Sequence, residues 1–229
     1  YLDRVEFIQG YSRQIELPEK VDVIISNIGF MHTLNDLPDA VVRFLKPGGR
    51  VLPESASVTL VPVQAEQLIN NHVKNWENSP YGINFNAFRK LAANHPMYWE
   101  LHQSNMISPP IEQPKISFLK TVDKVLIWEN IFEVNKAAEL HGIGGWYSFH
   151  SQGDEFLSTK PPLILEKDLW HNFIFPLERS LKVNVGDRLL VRLEMHREMI
   201  AEAPIWKWEM SLNGQMMCQQ STFAGVPIH

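Results

Sequence analysis

Val21-Asp22-Val23-Ile24-Ile25-Ser26, a helical run from Asp36 to Phe44, and Lys46-Pro47-Gly48-Gly49-Arg50-Val51-Leu52 together decide how the chain begins. The first run is short, apolar and largely β-branched, as in strands covered on both faces in a parallel sheet. Leu37, Ala40, Val41 and Phe44 then recur at helical spacing. Lys46 to Gly49 ends the helix and turns the chain into a second strand, Arg50 to Leu52. Strand, helix, Gly-rich turn and strand form one unit of a doubly wound α/β sheet, assigned to residues 1–53.

Working outward, the periodicity changes after Ala56. Ser57 to Val63 alternates imperfectly. Leu189, Val191, Leu193 and Met195 alternate cleanly with Leu190, Arg192, Glu194 and His196, as do Trp206, Trp208, Met210 and Leu212 with their neighbours. Asn213-Gly214 is the dipeptide favoured by a type I′ hairpin turn, where both positions need φ > 0. Residues 54–229 are therefore expected to form a mainly antiparallel β-barrel. A helical arm interrupts it over about 65–113, with candidate helices at Ala65–Lys74 and Phe85–Ala93 and an apolar cluster from Met97 to Leu101. Such a face must pack either on its own domain or on another subunit.

Composition narrows the function. A net charge of −5 excludes a general binder of nucleic-acid backbone. The single cysteine, Cys218, excludes an internal disulfide framework and a Cys-based zinc site, and fits a cytoplasmic location. No apolar run approaches the roughly 20 residues that span a bilayer, so no membrane role is expected. His72, His95, His102, His141, His150, His196 and His229 lack metal-ligand spacing, and no metal is expected. The first residue is Tyr1, which reads as a start inside a longer frame.

Four separated segments carry a resemblance to the protein arginine methyltransferases, a branch of the class I S-adenosylmethionine-dependent enzymes. Gly10 to Ser26 resembles the family's approach to its fourth sheet strand, and Lys46 to Pro53 its next strand entry. Leu157-Ser158-Thr159-Lys160-Pro161 resembles the family's Ser-Thr-Ser-Pro stretch. Asp168-Leu169-Trp170-His171-Asn172 falls at its Thr-His-Trp loop, followed by the turn Leu181 to Asp187. The resemblance implies that residues 1–53 are the later part of a Rossmann-like cofactor domain whose first strands and glycine-rich loop lie upstream. S-adenosyl-L-methionine is the implied cofactor of the full-length protein, and this 229-residue chain alone is expected to be inactive. Gly142-Ile143-Gly144-Gly145 leads into a strand pattern and is read as a bend or bulge, not a cofactor loop.

In the family, two glutamates after the fourth strand clamp the substrate guanidinium. Here Asn27 holds the first position, and the second falls at or near Asp36. An amide supplies no negative charge, and losing a charge partner for a desolvated guanidinium costs several kcal/mol, on the order of 3–5. The expected acceptor is therefore an oxygen or nitrogen of a small molecule or protein other than peptidyl arginine. A divergent arginine methyltransferase using Asn27 and Asp36, and a non-catalytic scaffold, are the alternatives. Asn27 would orient the nucleophile beside the cofactor's methyl, or simply cap the strand end. His32 would be a general base or a surface histidine, and Asp36 an acceptor-binding carboxylate or a helix N-cap. Ser12 and Arg13 would meet the adenine end through their backbone. Trp170 would wall the acceptor pocket or sit in the β core. The arm from Trp76 to Pro110 implies a head-to-tail homodimer.

Overall fold

The computed structural model describes residues 4–27, 29–77, 82–162, 171–200 and 203–223. The chain divides into two compact units. The first comprises Tyr1–Ala56, Lys115–Val122 and Ser148–Leu157; the second comprises Ser57–Pro114, Asp123–Tyr147 and Ser158–His229.

The first unit is built on strand β1 (Val21–Ile25), helix α1 (Phe30–Phe44) and strand β2 (Leu45–Leu52). β1 and β2 pair in parallel, with Val23 opposite Arg50 and Ile25 opposite Leu52. This is the expected strand–helix–strand unit. The glycine-rich turn, however, lies inside β2: Val21 pairs with Leu45 and Val23 with Arg50, so Lys46 to Gly49 form an irregularity in the ladder. Gly48 supplies the positive φ of 78° that this excursion needs. A Cβ on Gly49 would lie 2.9 Å from the Asp22 carbonyl, so the close approach of the two strands requires glycine there.

Helix α1 starts six residues before the expected Asp36, with Gly29 at its N-cap and no side-chain cap. Leu34, Leu37 and Val41 form its buried stripe, and the Phe30 ring packs 6.2 Å from that of Phe149. This apolar stripe carries the helix through Pro38, which forgoes one intrahelical bond. Asp36 is consequently mid-helix, and its expected role as an N-cap is overturned.

The second unit is antiparallel. Its strands are β3 (Ser55–Val63), β4 (Met97–Trp99), β5 (Ile111–Glu112), β6 (Ile116–Ser117), β7 (Val125–Glu133), β8 (Ala138–Ser151), β9 (Asp154–Ser158), β10 (Asn172–Val183), β11 (Arg188–Ile200), β12 (Ala203–Leu212) and β13 (Gln215–Ser221). The start of β3, the end of β8, all of β6 and most of β9 fall to the first unit. One sheet runs β4-β10-β8-β3-β5, with β6 on β3 and β9 on β8; the other runs β13-β12-β11-β7. Both are open paths among the described strands, so the expected closed barrel is replaced by two sheets. They meet through β10 and β12: Phe175 lies 4.9 Å from the Trp206 ring and 5.4 Å from that of Trp208. Trp208 Nε1 donates to the Pro176 carbonyl at 3.1 Å. Alternation identifies half-buried strands, but closure depends on which edges pair, and that leaves no local signature.

The Gly142–Gly145 stretch is a regular length of β8, not a bend. Gly142 faces Pro176, Gly144 faces Ile174 and Gly145 faces Phe173 in unbroken register. A Cβ on Gly142 would come 2.5 Å from the Phe175 carbonyl, and one on Gly145 2.6 Å from the Phe173 ring. Glycine here permits neighbouring strands to close on a fully buried one.

The arm is shorter in helix than expected. It holds α2 (Glu66–His72), a 3-10 turn at Lys74–Glu77 and α3 (Asn86–Ala93), after which β4 and β5 return the chain to the sheet. The Trp76 ring stacks on Phe88 at 5.3 Å, with Phe85 6.0 Å from Phe88. Ile83, Phe88 and Leu91 remain exposed.

Candidate functional site

The expected site residues other than Trp170 lie in the first unit, around one turn and one helix. Residues 11–15 form a tight turn, in which the Gln14 and Ile15 amides both donate to the Tyr11 carbonyl, at 2.8 and 3.2 Å. Gly10 opens it: a Cβ there would lie 2.9 Å from Ile15 Cγ2. Ser12 and Arg13 are exposed on this turn.

Two arginines join the turn to α1 in opposite directions. Arg13 reaches out of the turn, with Nε donating to Asp36 Oδ1 at 2.9 Å and Nη2 to the Asn35 carbonyl at 2.8 Å. Arg43 reaches back from the last turn of α1, with Nη1 donating to the Ser12 carbonyl at 2.9 Å and Nη2 to the Ile15 carbonyl. Asp39, one helical turn earlier, holds Arg43 Nη1 at 3.3 Å, and the Arg43 guanidinium sits 4.5 Å from the Phe44 ring centroid.

Asn27 is exposed just past the end of β1. Its neighbour Ser26 is fixed by the bond from its amide to the Leu52 carbonyl at 2.8 Å and by a 3.4 Å contact between its hydroxyl and that of Thr33. His32 is exposed on the first turn of α1. It stands four residues before Asp36, so the two share a helix face. The helix thus places His32 and Asp36 on one face, and Arg13 ties Asp36 to the Ser12–Arg13 turn. Trp170 lies outside the described residues.

Sequence reasoning missed Arg43. A cation in the last turn of a helix is what the helix dipole favours anyway, and no local pattern says that it reaches back about thirty residues. Thr159 and Asn172, from two of the resembling segments, join in a buried polar knot in the second unit. Asn172 Nδ2 donates to the Thr159 carbonyl and Asn172 Oδ1 accepts from the Leu101 amide at 2.9 Å. The Thr159 hydroxyl accepts from the Tyr147 amide at 3.2 Å, and the Thr159 amide donates to the Tyr147 carbonyl at 3.0 Å. Burial pushes the Tyr147 phenol above its ordinary range, so it stays protonated. Beside this knot the Tyr98 ring lies 5.4 Å from that of His171.

A parallel strand–helix–strand unit followed by a two-sheet antiparallel domain with a helical arm defines a class of two-part chains, the class that the four sequence segments resemble. Residues 54–209 match the arginine methyltransferase oligomerization subdomain, and the chain belongs to that family. It is 27% identical over 230 residues to protein arginine N-methyltransferase 2 of Homo sapiens, covering 90% of this chain and 51% of that protein. It is 30% identical over 238 residues to protein arginine N-methyltransferase PRMT10 of Oryza sativa subsp. japonica, covering 85% of this chain and 61% of that one. In fold it is similar to the Trypanosoma brucei PRMT1 enzyme–prozyme heterotetrameric complex with AdoHcy. The TM-score is 0.80 at 20% identity, covering 93% of this chain and 71% of that one. The chain thus spans only about half to three-fifths of the curated relatives it matches.

Proposed function

We propose that the whole protein is an S-adenosyl-L-methionine-dependent methyltransferase of the arginine methyltransferase type, of which this chain is the C-terminal part. The observation that carries this is the match to arginine N-methyltransferases over 85–90% of the chain, running through both units. The two-stranded parallel sheet would then be the later part of a Rossmann-like cofactor domain.

The residues present fit one end of the cofactor. The Arg13 side chain is committed to Asp36 and Asn35, so the Ser12–Arg13 turn offers its backbone and the Ser12 hydroxyl to the adenine end. When bound, S-adenosylmethionine supplies a sulfonium methyl that passes to the acceptor by in-line displacement. An acceptor nitrogen taking that methyl would give up one proton. Asn27 would orient the acceptor by its amide oxygen. Asp36 would take the acceptor's positive charge, and His32, on the same helix face, would receive the proton. Asp36 already holds one guanidinium, that of Arg13, at 2.9 Å. An arginine acceptor would therefore compete with Arg13 for the carboxylate.

That competition and the uncharged Asn27 favour a second reading, transfer to another nitrogen or oxygen nucleophile. The relatives are arginine N-methyltransferases, and the exclusion of peptidyl arginine argued from Asn27 alone finds no support among them. The deciding experiment uses the full-length gene product: titration with S-adenosylhomocysteine, then methylation of arginine-rich peptides by wild type and Asn27→Glu. Binding, with arginine methylation increased by Asn27→Glu, upholds the first reading. Binding with transfer only to other acceptors upholds the second, and no binding leaves a scaffold.

The arm supports assembly as a head-to-tail homodimer. Ile83, Phe88 and Leu91 are 54%, 47% and 39% exposed around the Trp76–Phe88 stack. That is an apolar face suited to docking on a second copy.

A further inference from the structure

We infer that Arg43 is the positioning residue that presets the cofactor turn, by aiming the backbone of residues 12–16 away from α1. This rests on the reading of the Ser12–Arg13 turn as a cofactor contact. A guanidinium carries its donors in a rigid planar fork, and one fork here spans two carbonyls three residues apart, Ser12 and Ile15. Those carbonyls flank the turn closed by the Tyr11 carbonyl. One side chain therefore fixes both ends of it.

The orientation follows from peptide geometry. In a trans peptide the C=O of one residue and the N–H of the next lie in one plane and point in opposite directions. With the Ser12 carbonyl drawn toward Arg43 on α1, the Arg13 N–H points away from the helix. With the Ile15 carbonyl drawn the same way, so does the Glu16 N–H. The turn thus presents outward donors suited to the acceptor nitrogens of a purine ring. Arg13 adds a second hold on the same turn through Asp36 and the Asn35 carbonyl, which keeps its own long side chain off that outward face. Asp39 and the Phe44 ring restrict the Arg43 guanidinium from two further sides, and its side chain is only 28% exposed.

The test compares wild type, Arg43→Met and Arg43→Lys in the full-length gene product. It reads S-adenosylhomocysteine affinity by calorimetry, exchange of the Gln14 and Ile15 amides, and thermal midpoint. Arg43→Met should weaken binding about tenfold and speed exchange of both amides by a similar factor, with the midpoint nearly unmoved. Arg43→Lys, able to satisfy one carbonyl but not both, should fall between. Wild-type binding that Arg43→Met leaves unchanged overturns the inference alone, as does unchanged exchange of the two amides. A loss of affinity that only tracks a falling midpoint, with no rescue by Arg43→Lys, also overturns it by making Arg43 merely structural. Absence of binding by wild type instead sinks the cofactor reading, and this inference with it.

Discussion

Replacing Asn172 with Leu should destabilise the second unit by about 3 kcal/mol, although it keeps the branched shape and puts an apolar group in the interior. Asn172 is fully buried, at 0% exposure. Its amide satisfies the Leu101 N–H and the Thr159 carbonyl, two backbone groups on segments far apart in sequence. Leucine would leave both unpaired, at about 1–3 kcal/mol each, so the loss is about 2–6 kcal/mol. The added apolar burial returns about 1–2 kcal/mol of this. For a protein of this size, 3 kcal/mol corresponds to a midpoint shift of about 6–12 °C. The assay is urea unfolding followed by tryptophan fluorescence, read on the second unit's transition, because two compact units need not melt as one. Amide exchange at Leu101 gives an independent check, since its N–H should lose its protection. A shift below about 0.5 kcal/mol, the usual size for an inconsequential surface change, would refute the reasoning. So would a Leu101 amide that stays protected.

Four further outcomes are expected. His141 is 1% exposed and accepts the Ala65 amide at Nδ1, 3.3 Å away; burial holds its pKa below the ordinary value, against the raising effects of Glu139 and Glu66 and with the lowering effect of Lys74. Its folded pKa lies below its unfolded one, so stability is complete above about pH 6.5 and falls as pH drops below that; urea midpoints at about pH 7.5 and 5.5 should differ, and His141→Gln should flatten the difference. Gly142→Ala, whose Cβ would sit 2.5 Å from the Phe175 carbonyl, should cost about 3 kcal/mol or more, and a urea midpoint near that of wild type would contradict the close approach of β8 and β10. The Arg13–Asp36 pair, with side chains 55% and 29% exposed, should show a coupling below about 1 kcal/mol in a double-mutant cycle of Arg13→Met and Asp36→Asn. Phe88→Asp should convert the proposed full-length dimer to monomer in sedimentation; a wild-type protein that is monomeric throughout would sink that proposal.

What was legible in the sequence depended on whether each element leaves one face in water. Leu189 to Met195 alternate with the outward-facing Leu190, Arg192, Glu194 and His196 because β11 is covered on one side only, and the structure buries Leu189, Val191, Leu193 and Met195 as read. Asn213-Gly214 makes its turn with φ of 49° and 85°, as the dipeptide predicts. β3 gave a blurred signal because it is buried on both faces from Ala56 to Val63, which erases the period. The beginning of α1 was misjudged because Asp36 suits an N-cap, whereas the buried stripe continues back through Leu34. β4 and β5, three and two residues long, are too short to carry a pattern. At the candidate site, Asn27, His32 and Asp36 were found as residue types on one loop. The bonds from Arg13 and Arg43 were invisible, because contacts spanning 22 to 31 positions are settled by packing and not by local sequence.

The arm is held at its root by the last described strand, β13. The carbonyl of Ala93, at the close of α3, accepts from Gln220 Nε2 at 2.7 Å, and Asn94 Oδ1 accepts from the Ser221 amide at 3.1 Å. Gln220 also donates to the Pro176 carbonyl and accepts from the Glu178 amide through its Oε1. β13 is therefore the clasp that shuts over the root of a helix encoded 127 positions earlier. A nonsense mutation at Gln220 would spare every candidate site residue and still unfasten the arm. Such alleles should behave as assembly defects rather than as losses of the reacting groups.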